Sequence, residues 1–133
     1  MKIKTHYSES ELNKSHHKLL NDFVKFLQKE YPLKKDVNVR FVTKRVNKMT
    51  TGQRTDEHNL YILTRDRLNR DVLRTLAHEW VHEHQHAVEH KKTSKKPNLK
   101  LEDEANELSA RFLNKYEKSH PKKKSEIYRS YQK

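Results

Sequence analysis

His78 and His82 stand four residues apart, with Glu79 directly after the first, in the run Leu76-Ala77-His78-Glu79-Trp80-Val81-His82. No other feature restricts the folding of this chain as much. Two imidazoles with this spacing can serve one metal ion if the run is helical, where they lie about 40° apart in azimuth and about 6 Å apart in rise. A metal centre that does chemistry needs about three protein ligands, an open position for water, and a carboxylate that takes the water's proton without binding the ion. The run supplies two ligands and, in Glu79, the base. The third ligand must come from another element folded back onto this helix.

With 10 histidines in the chain, the H-E-x-x-H pattern arises by chance roughly 0.06 times, so its surroundings matter. Leu68, Val72, Leu76 and Trp80 recur every four residues through it, which predicts a helix from about Asp66 to His90 with a buried face beside the histidines. The competing reading is a solvated, His-rich helix. Trp80 and Val81 are read as core packing.

Composition sets the remaining bounds. The 133 residues make one domain with a modest core, since 32% are hydrophobic, 36% are charged and the net charge is +12. That charge serves solubility, or attraction to nucleic acid or an acidic protein. With no cysteine, only His, Glu and Asp remain as metal ligands, and disulfides and thiol nucleophiles are excluded. The opening residues Met1 to His6 have no apolar core of a signal peptide, and no run reaches membrane-spanning length. The expected location is the cytoplasm. The small size, lysine-rich composition and single glycine also suit a phage protein acting in a host cytoplasm.

Along the chain, Ser8-Glu9-Ser10-Glu11 has capping-box spacing and opens a helix that closes before Pro32. Val37, Val39 and Phe41 alternate as in a half-buried strand, a second extended stretch runs from Asn47 to Arg54, and Asn59 to Thr64 is a third. Gly52, inside the second, marks a bulge or a close approach by another backbone. After the motif helix, Lys91 to Lys100 reads as a loop and a further helix starts near Leu99 or Lys100. The residues beyond His120-Pro121 read as a loosely docked basic tail. The fold class is therefore α+β: a short, mostly antiparallel sheet of about three strands packed on the N-terminal helix, the motif helix and the following helix.

Glu83 and Glu89 lie on the motif helix but cannot close the site, being rotated or displaced too far from His78. The following helix carries Glu102, Asp103 and Glu104 on its first turns. Two positions apart, Glu102 and Glu104 cannot both face the site; Ala105, Leu108 and Phe112 mark the buried side, which favours Glu102 and leaves Glu104 as the alternative. The bland reading of each glutamate is an exposed carboxylate set favourably against the helix dipole.

The pairing of H-E-W-V-H at 78–82 with Glu102 in an E-x-E-A-N run resembles the gluzincin pattern of zinc metallopeptidases, and E-D-E-A-N-E-L-S-A-R-F-L is most similar to the second motif of ImmA/IrrE-type peptidases. That resemblance covers residues 37 to 116. It implies a small zincin-like domain over 1–118 followed by a tail over 119–133, with Zn²⁺ held by His78, His82 and Glu102 and with Asn106 steadying a ligand histidine. Leu108 and Ser109 depart from the family's usual phenylalanine and alanine. An SprT-like site would need a third histidine downstream, and His84, His86, His90 and His120 are poorly placed for one; His86 and His90 read as surface residues.

The expected activity is hydrolysis of a peptide bond in a protein substrate. Zinc lowers the pKa of its water and polarises the carbonyl, and Glu79 moves the proton. An extended substrate adds along a strand edge, for which Met49, Thr50, Thr51 and Gly52 are the candidates. Tyr61, Tyr116 and His58 are candidate oxyanion partners, with structural roles favoured for each. The substrate is expected to be acidic or a DNA-associated regulator. Two rivals stand beside this reading: a nucleic-acid-binding protein in which the histidines are incidental, and a metal-bound but inactive zincin that acts as a regulatory binding protein.

Overall fold

The computed structural model describes residues 2–7, 14–46, 49–88 and 99–129. The elements run β1 (Ile3–Tyr7), α1 (Lys14–Glu30), β2 (Val37–Val42), β3 (Gly52–Arg54), β4 (Asn59–Leu63), α2 (Asn69–Val88), α3 (Leu99–Ser119), a 3₁₀ turn (Pro121–Lys123) and α4 (Lys124–Ile127). The α+β class is as expected. The sheet differs in detail: it has four strands in the order β1-β2-β4-β3, and the β1–β2 and β2–β4 pairs are parallel, leaving only β3–β4 antiparallel. The reason lies in β1. With Ile3 as its one aliphatic residue, Ile3-Lys4-Thr5-His6-Tyr7 gives almost no hydrophobic signal. Yet it completes a strand–helix–strand unit with α1 and β2, and such a crossover returns the chain parallel.

The helices cover one face of this sheet. Val37, Val39 and Phe41 of β2 and Leu60 and Ile62 of β4 point into a core shared with Leu19, Leu20, Phe23 and Leu27 of α1, Val72, Leu73, Leu76 and Trp80 of α2, and Ala105, Leu113 and Tyr116 of α3. The alternate residues give the other face polar pairs, His6 with Asn38 at 2.9 Å and Arg40 with Asn59 at 2.9 Å. A parallel sheet is usually covered on both sides. Here side-chain hydrogen bonds take over on the open one.

Helix α2 begins at Asn69, three residues later than the periodicity predicts, because Asp66 adopts a left-handed backbone (φ 57°). Leu68 consequently stays exposed, and the buried stripe starts at Val72. The Trp80 indole is fully buried and donates its N–H to the Tyr31 carbonyl at 2.8 Å, satisfying its only polar group. Helix α3 starts at Leu99, as expected. The capping box at 8–11, the segment 47–48, most of the loop at 91–98 and His90 lie outside the described residues.

The C-terminal residues correct the expectation of a loose tail. Ile127 is fully buried in the main core, Asn69 donates its side-chain N–H to the Glu126 carbonyl at 2.7 Å and its backbone N–H to that of Arg129 at 2.6 Å, and Lys123 pairs with Asp22 of α1. One isoleucine among lysines is a weak hydrophobic signal, but burying it is worth about 1.5–3 kcal/mol. No described helix is long and apolar enough to cross a membrane.

Candidate metal centre

The buried stripe of α2 fixes the helix against the sheet and turns His78 and His82 toward the first turns of α3. There Leu101 and Ala105 are buried and carry Glu102 into the space between the two helices. The three side chains converge: His78 Nε2 lies 3.3 Å and His82 Nε2 2.9 Å from the Glu102 carboxylate, and the two ring nitrogens are 3.1 Å apart. Among the described residues these three form the one group of His and acidic side chains placed to hold a metal ion. Ligand atoms bound tetrahedrally at about 2.0–2.1 Å sit roughly 3.3 Å from one another. The observed spacings fit such an ion closely.

Hydrogen bonding fixes which nitrogen of His82 faces the cluster. The Gln85 amide donates to the Leu101 carbonyl at 3.1 Å and to Glu104 at 2.9 Å, so its oxygen is left facing His82 Nδ1 at 2.9 Å. An amide oxygen only accepts, so Nδ1 donates to it, which leaves Nε2 as the nitrogen turned to the centre that would bind a metal. Asn106 hydrogen-bonds the His78 side chain. Burial and the neighbouring His82 hold the His78 imidazole below its ordinary pKa, which keeps it in the neutral form a metal requires.

These contacts separate Glu102 from Glu104. The former joins the histidines; the latter, one helix face away, meets Gln85. Gln85 itself escaped the sequence reading, although its place three residues after His82, on the same helix face, is a usable signal. Asp56 lies 3.9 Å from His86, and His84 stacks on Tyr31 with ring centroids 3.7 Å apart. Neither histidine enters the cluster. The oxyanion candidates are occupied elsewhere: His58 pairs with Glu83 at 2.7 Å, Tyr116 packs in the core, and Tyr61 packs against the small cluster of Val42, Met49 and Leu63.

Glu79 lies beside the cluster, 9% exposed, with no hydrogen bond or ion pair among the described residues. Burial above all, and then the charge of Glu102, push its carboxyl up from 4.5 to about 8, against a smaller opposing pull from Arg54. Strand β3 passes over it. A Cβ on Gly52 would come within 2.6 Å of the Thr75 methyl and 3.0 Å of the Glu79 carboxylate, so the close approach here is by side chains of α2 and not by another backbone, the alternative its position in a strand suggested. Of the candidates for a substrate-binding edge, Thr50, Thr51 and Gly52 line the cleft. Met49 does not; it is buried in the small second cluster.

No family model matches the chain, and no curated protein matches it. A crystal structure of a Wss1 mutant from Saccharomyces cerevisiae is similar to it, with a TM-score of 0.57 over 88% of this chain and 94% of that one at 12% sequence identity. At that identity the likeness is one of fold.

Proposed function

We propose that this chain is a zinc-dependent peptidase in which His78, His82 and Glu102 hold the metal and Glu79 is the catalytic base. The observation that carries the reading is the convergence of two imidazole nitrogens and a carboxylate at metal-ligand spacing, with a second carboxylate, unpaired among the described residues, buried alongside. A donor set of two nitrogens and one oxygen with no sulfur suits zinc, and the E-x-E-A-N resemblance to ImmA/IrrE-type peptidases supports the same three ligands. Bound there, the ion would supply Lewis acidity toward water and the scissile carbonyl.

The protein's own groups do the remainder. Glu79 accepts a proton from the attacking water and returns it to the leaving amine; burial raises its carboxyl and so its basicity, and the charge of a bound cation would favour the ionised form that accepts the proton. The outer edge of β3, without a strand partner among the described residues, offers backbone groups to an extended substrate. Asn106 and Gln85 orient the histidines.

Elemental analysis of the purified protein tests the centre: about one zinc per chain is expected, with a marked loss in His82→Ala. Absence of zinc after purification without chelators, and no uptake from added Zn²⁺, would remove the peptidase reading and favour a nucleic-acid-binding protein indifferent to chelators. Zinc retained with physiological function intact in Glu79→Gln would favour the inactive, regulatory form.

A further inference from the structure

Two cavities open beside the proposed metal centre, and their charges differ. Thr50, Gly52, His78 and Glu79 line both. The first, of about 380 Å³, also holds Arg67, Asp71 and Arg74; the second, of about 610 Å³, holds Arg54, Asp56 and Glu102. In the second, the charge of Arg54 is already balanced by Glu83 at 2.7 Å and Asp56 at 3.3 Å, although its Nη2 has no hydrogen-bond partner among the described residues, so that side carries no excess positive charge. In the first, Arg67 is anchored by donating to the Leu63 carbonyl at 2.7 Å, the Asp71 carbonyl at 3.1 Å and the Thr75 hydroxyl at 2.7 Å. Its charge is thereby set in the wall of the cavity, with Asp71 as the one carboxylate acting on it. Arg74 is exposed one turn before His78 and makes no hydrogen bond or ion pair among the described residues.

We infer that the Arg67–Arg74 cavity receives a carboxylate of the substrate immediately C-terminal to the cleaved bond. This rests on the peptidase reading above. The side follows from the strand: Thr50 and Thr51 lead into β3 (Gly52–Arg54), an edge strand whose outer side has no strand partner among the described residues. A substrate strand pairing antiparallel to it enters over Arg54 and leaves over Thr50 and Thr51, where Arg67 and Arg74 wait. The wall holds two cations and two carboxylates, but Glu79 is turned to the metal centre; Arg67 and Arg74 beside Thr50 and Thr51 then face Asp71 alone, and guanidinium groups such as the exposed Arg74 bind carboxylates with paired hydrogen bonds.

The test incubates the zinc-loaded full chain with a proteome-derived peptide library and reads cleavage sites by mass spectrometry. Aspartate and glutamate should be enriched about threefold within two residues C-terminal to the cut, and Arg74→Glu should reverse that preference toward lysine. Lys118→Glu, the same charge change on the exposed face of α3, should leave it intact. Cuts confined to one or two residues from the peptide end, and blocked by C-terminal amidation, would identify the terminal carboxylate as the source. Cleavage without acidic enrichment, or with a preference unmoved by Arg74→Glu, overturns the inference.

A second readout does not depend on turnover. Zinc-loaded Glu79→Gln is titrated with a blocked alanine peptide bearing one central glutamate, and with its lysine counterpart. Binding should favour glutamate about fivefold, and adding Arg74→Glu should abolish the difference while adding Lys118→Glu should not. If no peptide is cleaved by the wild type, the peptidase reading fails; equal affinity for the two peptides overturns the cavity's assignment separately.

Discussion

Glu79 and Glu83 are one helical turn apart on α2, both buried, yet they do opposite things. Glu83 is fully buried, and its two oxygens are taken by Arg54 Nε of β3 and His58 Nδ1 of the connection to β4, each at 2.7 Å. Glu79 faces the cleft with no such partner, and its carboxyl is pushed up to about 8. Burial raises a carboxyl's pKa; a guanidinium in contact restores the charge. Depth is shared, so the partner decides: the paired acid fastens the hairpin to the helix, and the unpaired one is left poised to exchange a proton.

The comparison breaks most severely at Glu83. Glu83→Ala leaves Arg54, whose side chain is only 5% exposed, with the exposed Asp56 as its remaining ion-pair partner, and removing one member of a buried pair costs about 3–5 kcal/mol. Urea unfolding should show a midpoint lowered to match, at similar slope. A loss below about 0.5 kcal/mol would mean that the network contributes nothing beyond an exposed pair.

At Glu79 the sign reverses. Because the folded carboxyl sits near 8 and the unfolded one near 4.5, the fold binds this proton the more tightly. The contribution of the protonated group is complete below pH 4.5 and is lost as pH rises toward 8. Glutamine mimics the protonated form, so metal-free Glu79→Gln should equal the wild type near pH 4.5 and exceed it by a few kcal/mol at pH 8.5, at roughly 1.4 kcal/mol per pH unit before relaxation. The same substitution should cut peptide cleavage about 10²–10⁴-fold. A stability difference flat with pH would show that folding leaves the Glu79 carboxyl at its unfolded value.

Gly52 sharpens the contrast, since its strand carries Arg54 to Glu83 while passing over Glu79. Gly52→Ala forces a methyl against Thr75 and should cost about 1–3 kcal/mol. Thr75→Ser removes the methyl that the new Cβ meets at 2.6 Å. A double mutant that recovers much of the stability would locate the strain there; additive losses would place it elsewhere.

Much of this arrangement could be read from the residues, and what could not has a physical cause. The motif helix, the α3 start and the choice of Glu102 follow from periodicity and azimuth, which are local properties. Strand β1 was invisible because parallel pairing supplies what its single isoleucine cannot. Ile127 was invisible because its burial depends on where α1 and α2 place a pocket. Glu83 could be excluded from the metal site by rotation alone, but its partners, Arg54 and His58, are 29 and 25 residues distant, and nothing local announces them.

Gln85 tests the same lesson at the smallest scale. It links the metal centre to α3, taking the proton of His82 Nδ1 on its oxygen and giving its own protons to Leu101 and Glu104. Gln85→Leu keeps the approximate volume but removes the acceptor, so the His82 ring loses its preference for presenting a bare Nε2. Zinc affinity, measured by competition with a chromophoric chelator, should fall about 10–100-fold, as when other groups that orient a ligand histidine are lost. Gln85→Glu restores the acceptor but places a second carboxylate beside Glu104, so it should recover zinc binding while losing stability to like-charge repulsion. Recovery of affinity without recovery of stability would separate orienting the ligand from holding the helices together, the same division of roles that distinguishes Glu79 from Glu83.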